Sequence, residues 1–179
     1  GSFGLGWFGR RTYLTLGYQL NDGRNGAPYA DQIHGPEDHG HDSEEETGDE
    51  LEEQLVAVDL DHRLHSARLD GGLDDLGPLF EAFRLTLGFS DWRHEELEIF
   101  PGGHEIPGTV FDNRQLIYRG VFEQRPRGRL TGSIGFWGLS RDYSAAGEEA
   151  LSPPVEQNAF AVFGLEELRF ERVLSLIHI

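Results

Sequence analysis

The 179-residue chain has no cysteine and no methionine. Without cysteine there are no disulfides and no thiolate metal sites, and the redox compartment stays open. No run of about 18 apolar residues occurs, which excludes a transmembrane helix. It does not exclude a transmembrane strand, because such a strand needs only every second residue to be apolar. Helix signals are scarce: residues 44–55 are good helix formers, but their charges repel at i,i+4. Positive charge is also in short supply, with 15 basic residues against 32 acidic ones and a net charge of -17. That field makes nucleic acid and anionic membrane surfaces poor partners and cations good ones. No G-x-S-x-G elbow and no phosphate loop is present, so nothing marks the chain as an enzyme or calls for a catalytic cofactor.

What is present is period-two alternation. Over 12–20, Leu14, Leu16, Tyr18 and Leu20 oppose Tyr13, Thr15, Gly17 and Gln19. Over 83–90, Phe83, Leu85, Leu87 and Phe89 oppose Arg84, Thr86, Gly88 and Ser90. Over 54–64, Val56, Val58, Leu60 and Leu64 oppose Ala57, Asp59, Asp61 and Arg63, and over 115–122, Leu116, Tyr118 and Phe122 oppose Gln115 and Arg119. Residues 2–8, 130–139 and 159–170 complete a set of about seven strands.

The connections alternate in length. A tight turn at 9–10 precedes a long loop over 21–53; a shorter link at 70–78 precedes a long loop over 95–110; a tight turn at 125–128 precedes a long loop over 144–157. The expected fold is therefore all-β, an antiparallel up-and-down meander with long loops on one edge and tight turns on the other. Outer-membrane barrels have this asymmetry and use strands of about 9–11 residues. Trp7, Tyr18, Trp92 and Tyr143 near strand ends fit an interfacial girdle, and the polar faces suit a wet lumen. A soluble β-sandwich or barrel binding cations or a protein partner explains the alternation equally well, but not the loop asymmetry.

Three stretches taken in order resemble a known family: FRLTLGFSDWRHEELE (83–98), GTVFDN (108–113) and YSAAGEEALSPP (143–154). With the His- and acid-rich stretch ahead of them, they resemble the barrel of TonB-dependent outer-membrane receptors, in particular the branch associated with zinc uptake. The resemblance covers most of 1–173. It implies a barrel of about 22 strands closed by a plug, placed in the outer membrane of a Gram-negative bacterium. It also implies contact with outer-membrane lipid and import powered by the TonB complex acting through the plug. Neither a plug nor the segment that engages the energy transducer is found, so 1–173 is expected to be part of the barrel, an internal slice. Residues 174–179 follow a strand-like stretch without a turn signal and resemble the translation of a sequencing-adapter transposon end; they are expected to be a non-native scar outside the fold.

The long loop carries the chemistry. Of the twenty residues 34–53, ten are Asp or Glu and three are His, with no Lys or Arg. Zinc takes imidazole and carboxylate where thiolate is absent, whereas imidazoles do not suit calcium. His39 and His41 are two apart, on one side of an extended chain, and Asp42 follows. His34, Glu37, Asp38, Glu44, Glu45 and Glu46 are candidates to complete the shell. A second group, His94, Glu96 and Glu98 on one strand face with His104 and Glu105 nearby, is expected at the barrel mouth. His62 and His65 read as ordinary strand residues on opposite faces, and Glu148 and Glu149 as a plain acidic loop. The cargo implied is a divalent metal, zinc first; the alternative is a siderophore or other metal chelate, with the acidic loop a charged lid.

Overall fold

Residues two apart on a strand share a face, so the register between strands decides which side each apolar run covers. The computed structural model describes residues 1–27, 55–147, 150, 152–170 and 174–178. They form β1 (Ser2–Phe8), β2 (Thr12–Gly26), β3 (Ala57–Asp74), β4 (Phe80–Phe100), β5 (His104–Gln124), β6 (Leu130–Gly147), β7 (Val155–Arg169) and β8 (Leu174–His178). The eight make one sheet whose spatial order is the chain order, every neighbouring pair antiparallel. This is the expected up-and-down meander. The sheet does not close on itself, and no second sheet packs on it among the described residues.

The register gathers the apolar residues into continuous rows on one side, the front. Leu5, Leu16, Leu69, Leu87, Tyr118, Gly138 and Phe160 stand opposite one another across β1 to β7. Trp7, Leu14, Gly71, Leu85, Gly120, Phe136 and Val162 form the next row, and Phe3, Tyr18, Ala67, Phe89 and Leu116 the row on the other side. Two glycines in this band make room for rings from the residue directly opposite. A Cβ at Gly120 would run into the Phe136 ring, and one at Gly138 into the Tyr118 ring. Aromatic cover over a strand glycine restores the packing that the missing side chain gives up.

Behind the band the back face is polar across β2 to β4 and mixed across β5 to β7, where Ile117, Val121, Trp137, Leu139, Ala161 and Phe163 stand beside Arg119. Gln19, Ser66, Ser90, Gln115, Arg141 and Gln157 form one row across β2 to β7. Asp70 accepts hydrogen bonds from Arg68 Nε at 2.7 Å and Thr86 Oγ1 at 2.8 Å, and Arg84 donates to Asp74 at 2.6 Å. One row beyond Phe89 the two faces of β3, β4 and β5 exchange character. The front becomes Leu20, His65, Asp91, Arg114, Asp142 and Glu156, then Asp22, Arg63, Arg93, Asp112 and Ser144. The back acquires Val58, Leu60, Leu64, Trp92 and Phe111. The apolar residues read from 54–64 therefore lie on the side opposite the band. Trp92 and Tyr143 also face the back, so of the four proposed girdle residues only Trp7 and Tyr18 border the band.

The strands reach further into the expected connections than the sequence suggests, β2 to Gly26, β3 to Asp74 and β6 to Gly147, and two stretches differ more. Residues 95–110 are not a long loop: β4 and β5 run 21 residues each and turn through only Pro101, Gly102 and Gly103. Gly102 and Gly103 take φ of 89° and 80°, which glycine adopts without strain. The charges of this stretch suggested loop, but Ile99, Phe100, Ile106, Val110 and Phe111 keep it paired. The excursion still falls on the expected edge, built as a hairpin arm. Residues 174–178, expected outside the fold, pair as β8 with Leu165 to Arg169.

The register slips twice between β4 and β5, at Phe80/Ala82 and at Glu95/Leu97. Each slip buries a small residue: Ala82 and Thr109, both 1% exposed, are, glycines apart, the buried residues of the described sheet. A sheet with so little core is a single layer, whereas domains bury apolar faces between two.

Candidate functional site

His34, His39, His41, Asp42, Glu44 and Glu45 lie outside the described residues, as do Glu37, Asp38, Glu46, Glu148 and Glu149. The strands that flank the His- and acid-rich stretch are described. β2 and β3 pair to their ends, Gly26 beside Asp59, and Ala27 N–H donates to the Val58 carbonyl at 2.7 Å. The stretch therefore leaves and re-enters the sheet between adjacent strands, on the edge that carries the β4–β5 arm.

His94, Glu96 and Glu98 share the back face of β4, as the alternation requires. His104 joins them through the second register slip. Between Glu95↔Val110 and Leu97↔Pro107, β5 spends three residues where β4 spends two. The extra residue, in Gly108–Thr109, shifts the phase of everything beyond it. His104 thus turns to the back and Glu105 to the front. The candidates share a face but not a position: His104 pairs with Phe100, six residues and about 20 Å along the strand from His94 at about 3.4 Å per residue. Ligands of one zinc ion each lie about 2 Å from it. Among the described residues no three His, Asp or Glu side chains could hold one metal ion.

What surrounds His94 is aromatic. Its ring stacks on Trp92, with centroids 5.4 Å apart and planes 10° apart, and tilts against Phe111 at 5.8 Å. His62 is the direct cross-strand partner of His94 on the same face. Its imidazole leans the other way, over Gly23, where a Cβ would stand 2.9 Å from its Cε1. Leu64, Trp92 and Phe111 lie on the same face beside the two imidazoles, Leu64 opposite Trp92 and Phe111 opposite His94. Reading His62 as an ordinary strand residue misses this pairing. Counting outward from the β3–β4 turn would have found it, since partners there are fixed once one pair is known. His65 faces the front, where its Nδ1 and the Tyr18 hydroxyl share a 2.6 Å hydrogen bond.

Glu105, turned to the front by the slip, meets Arg24 at the end of β2. Arg24 Nη2 and Nη1 donate to its two carboxylate oxygens at 2.7 and 3.1 Å, and Arg24 Nε donates to Asp59 at 2.7 Å. One guanidinium thus ties the arm to the base of the His- and acid-rich stretch. The Glu105 carboxyl is held below its ordinary value by those hydrogen bonds, and the Arg24 guanidinium is raised, first by Glu105 and then by Asp59. Glu105 is therefore occupied and offers no metal ligand in this state.

No protein-family model matches the chain, and no curated protein matches it.

Proposed function

We propose that this chain forms part of the wall of a transmembrane β-barrel in a Gram-negative outer membrane, a receptor of the TonB-dependent type that takes up divalent metal, most of all zinc. One observation carries the barrel: a single-layer sheet with an apolar band running across one face from β1 to β7. On β4 the band runs from Phe80 to Phe89. Nine steps of about 3.4 Å rise about 30 Å along the strand, or about 23 Å once tilted by about 40°. The apolar belt of an outer-membrane barrel is about 25 Å tall. The exchange of polarity beyond Phe89 fits strands that leave the bilayer on the side of the long excursions. The three ordered stretches 83–98, 108–113 and 143–154 supply the receptor type.

Zinc would be collected by His39, His41 and nearby carboxylates, whose field concentrates cations. It would pass to the mouth, where His62, His94 and Glu96 line the inner wall. The barrel moves cargo and catalyses no reaction. The test is metal content: the full chain in detergent is equilibrated with limiting zinc, calcium and a ferric chelate, beside a His39→Ala/His41→Ala variant. Zinc bound by the parent and reduced in the variant supports the reading; no zinc in either sinks it and leaves the barrel to be judged separately.

The Trp92–His94–Phe111 stack favours a second reading, uptake of an aromatic metal chelate, because such rings offer a flat face to stack on. Quenching of Trp92 by a ferric catecholate but not by zinc would select it.

A further inference from the structure

Two arginines stand directly opposite each other on the front, Arg63 on β3 and Arg93 on β4. Like charges in that cross-strand position destabilise a sheet. Their row runs Asp22, Arg63, Arg93, Asp112, so each arginine has a carboxylate on its other side. Neither draws that carboxylate in: Arg63 stands 3.6 Å from Asp22, and Arg93 turns instead to Glu95, also at 3.6 Å. Arg114, one row nearer the band and one strand further on, holds Asp91 at 3.3 Å. Arg84, Arg24 and Arg125 hold their partners at 2.6–2.8 Å. All three loosely held guanidiniums are more than half exposed.

An anion between the opposed pair offsets their repulsion, and forked guanidinium donors suit phosphate oxygens. The level of the cluster narrows the source. Arg114 lies two residues beyond Leu116, and Arg93 four beyond Phe89, both in the last apolar row. At about 3.4 Å per residue and a tilt of about 40°, those heights are about 5 and 10 Å above the band. The interfacial layer of a bilayer is about 5–8 Å deep on each side, and arginine stems bend to reach it. The three arginines thus bracket the depth of lipid phosphates. Their edge carries the long excursions, the outward side of an outer-membrane barrel, where the lipid is a glycolipid whose phosphate monoesters are bridged by divalent cations. The carboxylates fit that chemistry. A bare phosphate would meet Asp22, Asp91 and Asp112 unscreened, in a chain of net charge -17. Magnesium and calcium take oxygen ligands, so one ion joins carboxylate to phosphate.

We propose that Arg63, Arg93 and Arg114 dock a phosphate of an outer-leaflet glycolipid, with a divalent cation linking that phosphate to the carboxylates interleaved among them. Arg63 and Arg93 close on it from adjacent strands, and Arg114 approaches from the side of the band. The proposal rests on the barrel reading, because only an outer membrane presents such a lipid to the front face. The opposed arginines then cost the sheet stability and serve binding. Removing both weakens binding and leaves the fold at least as stable as before.

The full chain in detergent with magnesium is incubated with equal amounts of bisphosphorylated lipid A and its dephosphorylated form. After exchange into lipid-free detergent, the retained lipid is identified by mass spectrometry. The parent retains the phosphorylated form over the other by about tenfold, the scale of one hydrogen bond to a charged group, and EDTA removes the preference. Arg63→Gln/Arg93→Gln abolishes it with the urea midpoint unchanged or raised. Arg68→Gln/Arg119→Gln, the same charge change on the back face, keeps it. Equal retention of the two lipids, a preference that survives EDTA, or an Arg63/Arg93 variant indistinguishable from the parent overturns the proposal. So does a lowered midpoint in that variant, which would make the arginines structural. Glucose 1-phosphate in hundredfold excess leaves the lipid bound; displacement would assign the site to soluble phosphate esters instead. Flotation with pure phosphatidylcholine vesicles separates the two readings. Failure of the parent to float removes the barrel and this site together, whereas flotation with indiscriminate retention removes this site alone.

Discussion

Leu87→Arg is the most direct probe of what the front face meets. Leu87 lies in the middle of the band, between Leu69 and Tyr118 in the row that crosses seven strands. If that row faces lipid, the substitution puts a guanidinium near the bilayer midplane. In barrels this costs about 2–4 kcal/mol, or about 30- to 700-fold in the folding equilibrium at 1.4 kcal/mol per tenfold. Ser90→Arg is the paired control. Ser90 lies three residues on, facing the back between Ser66 and Gln115, and an arginine there would enter the polar lumen at a cost within about 0.5 kcal/mol. The assay is urea unfolding of the vesicle-inserted chain, followed by fluorescence of its three tryptophans. The expected result is a large fall in midpoint for Leu87→Arg, with the slope unchanged, and almost none for Ser90→Arg. A Leu87→Arg cost under about 0.5 kcal/mol, the ordinary value for a water-exposed site, would refute a lipid-facing band. Equal costs at the two positions would refute the assignment of the faces.

Gly120→Ala forces the Phe136 ring aside and should cost about 1–3 kcal/mol, as overpacking does; in a double-mutant cycle Phe136→Leu should recover part of that cost, and strict additivity would show the ring does not fill the glycine site. Arg24→Gln should release the β4–β5 arm, read as faster amide exchange over 100–108 with exchange in β6 unchanged. The same clasp should be acid-labile. Because the Glu105 carboxyl is lowered when docked, its contribution is complete above the ordinary value of 4.5 and disappears as the pH falls through the lowered one. Glu105→Gln should abolish that acid dependence of exchange, and a persisting transition would assign it to another group.

The sequence disclosed the band where the alternation is strict and uncharged, as in Phe83 to Phe89 and Leu14 to Leu20, because period two is a property of one strand alone. It misled wherever the answer depended on a neighbour. Residues 95–110 read as loop because Glu, Pro and Gly dominate them, yet each half supplies the other with a pairing partner. The pairing of His62 with His94 is invisible until the β3–β4 register is known. The faces of His104 and Glu105 turn on one extra residue at Gly108–Thr109, so a reading that keeps strict alternation through 104–110 places both on the wrong side.

The exchange of polarity beyond Phe89 has the same origin and says more about function than any single residue. Alternation continues without a break from Leu87 through Asp91 to Arg93, but the side that carries charge changes. Within β3 the apolar set Val58, Leu60 and Leu64 looks like a core face, and so does Leu69 with Leu73, yet the two sets lie on opposite sides of one continuous strand. A strand packed throughout against a protein core has no reason to make that change, because its buried side stays buried along its length. One that passes from an apolar surround into water does, because the front loses its apolar solvent at that level while the back gains the shelter of the arm and of whatever fills the mouth. The front turns charged in one row on β3, β4 and β5, at His65, Asp91 and Arg114; it turns polar one row earlier on β6 and β7, at Ser140 and Asn158, and one row later on β2, at Asp22. A boundary that stays within one row of the same level across six strands follows the surroundings of the sheet rather than any one strand, and on the barrel reading the row His65, Asp91 and Arg114 is the place to look for the edge of a bilayer.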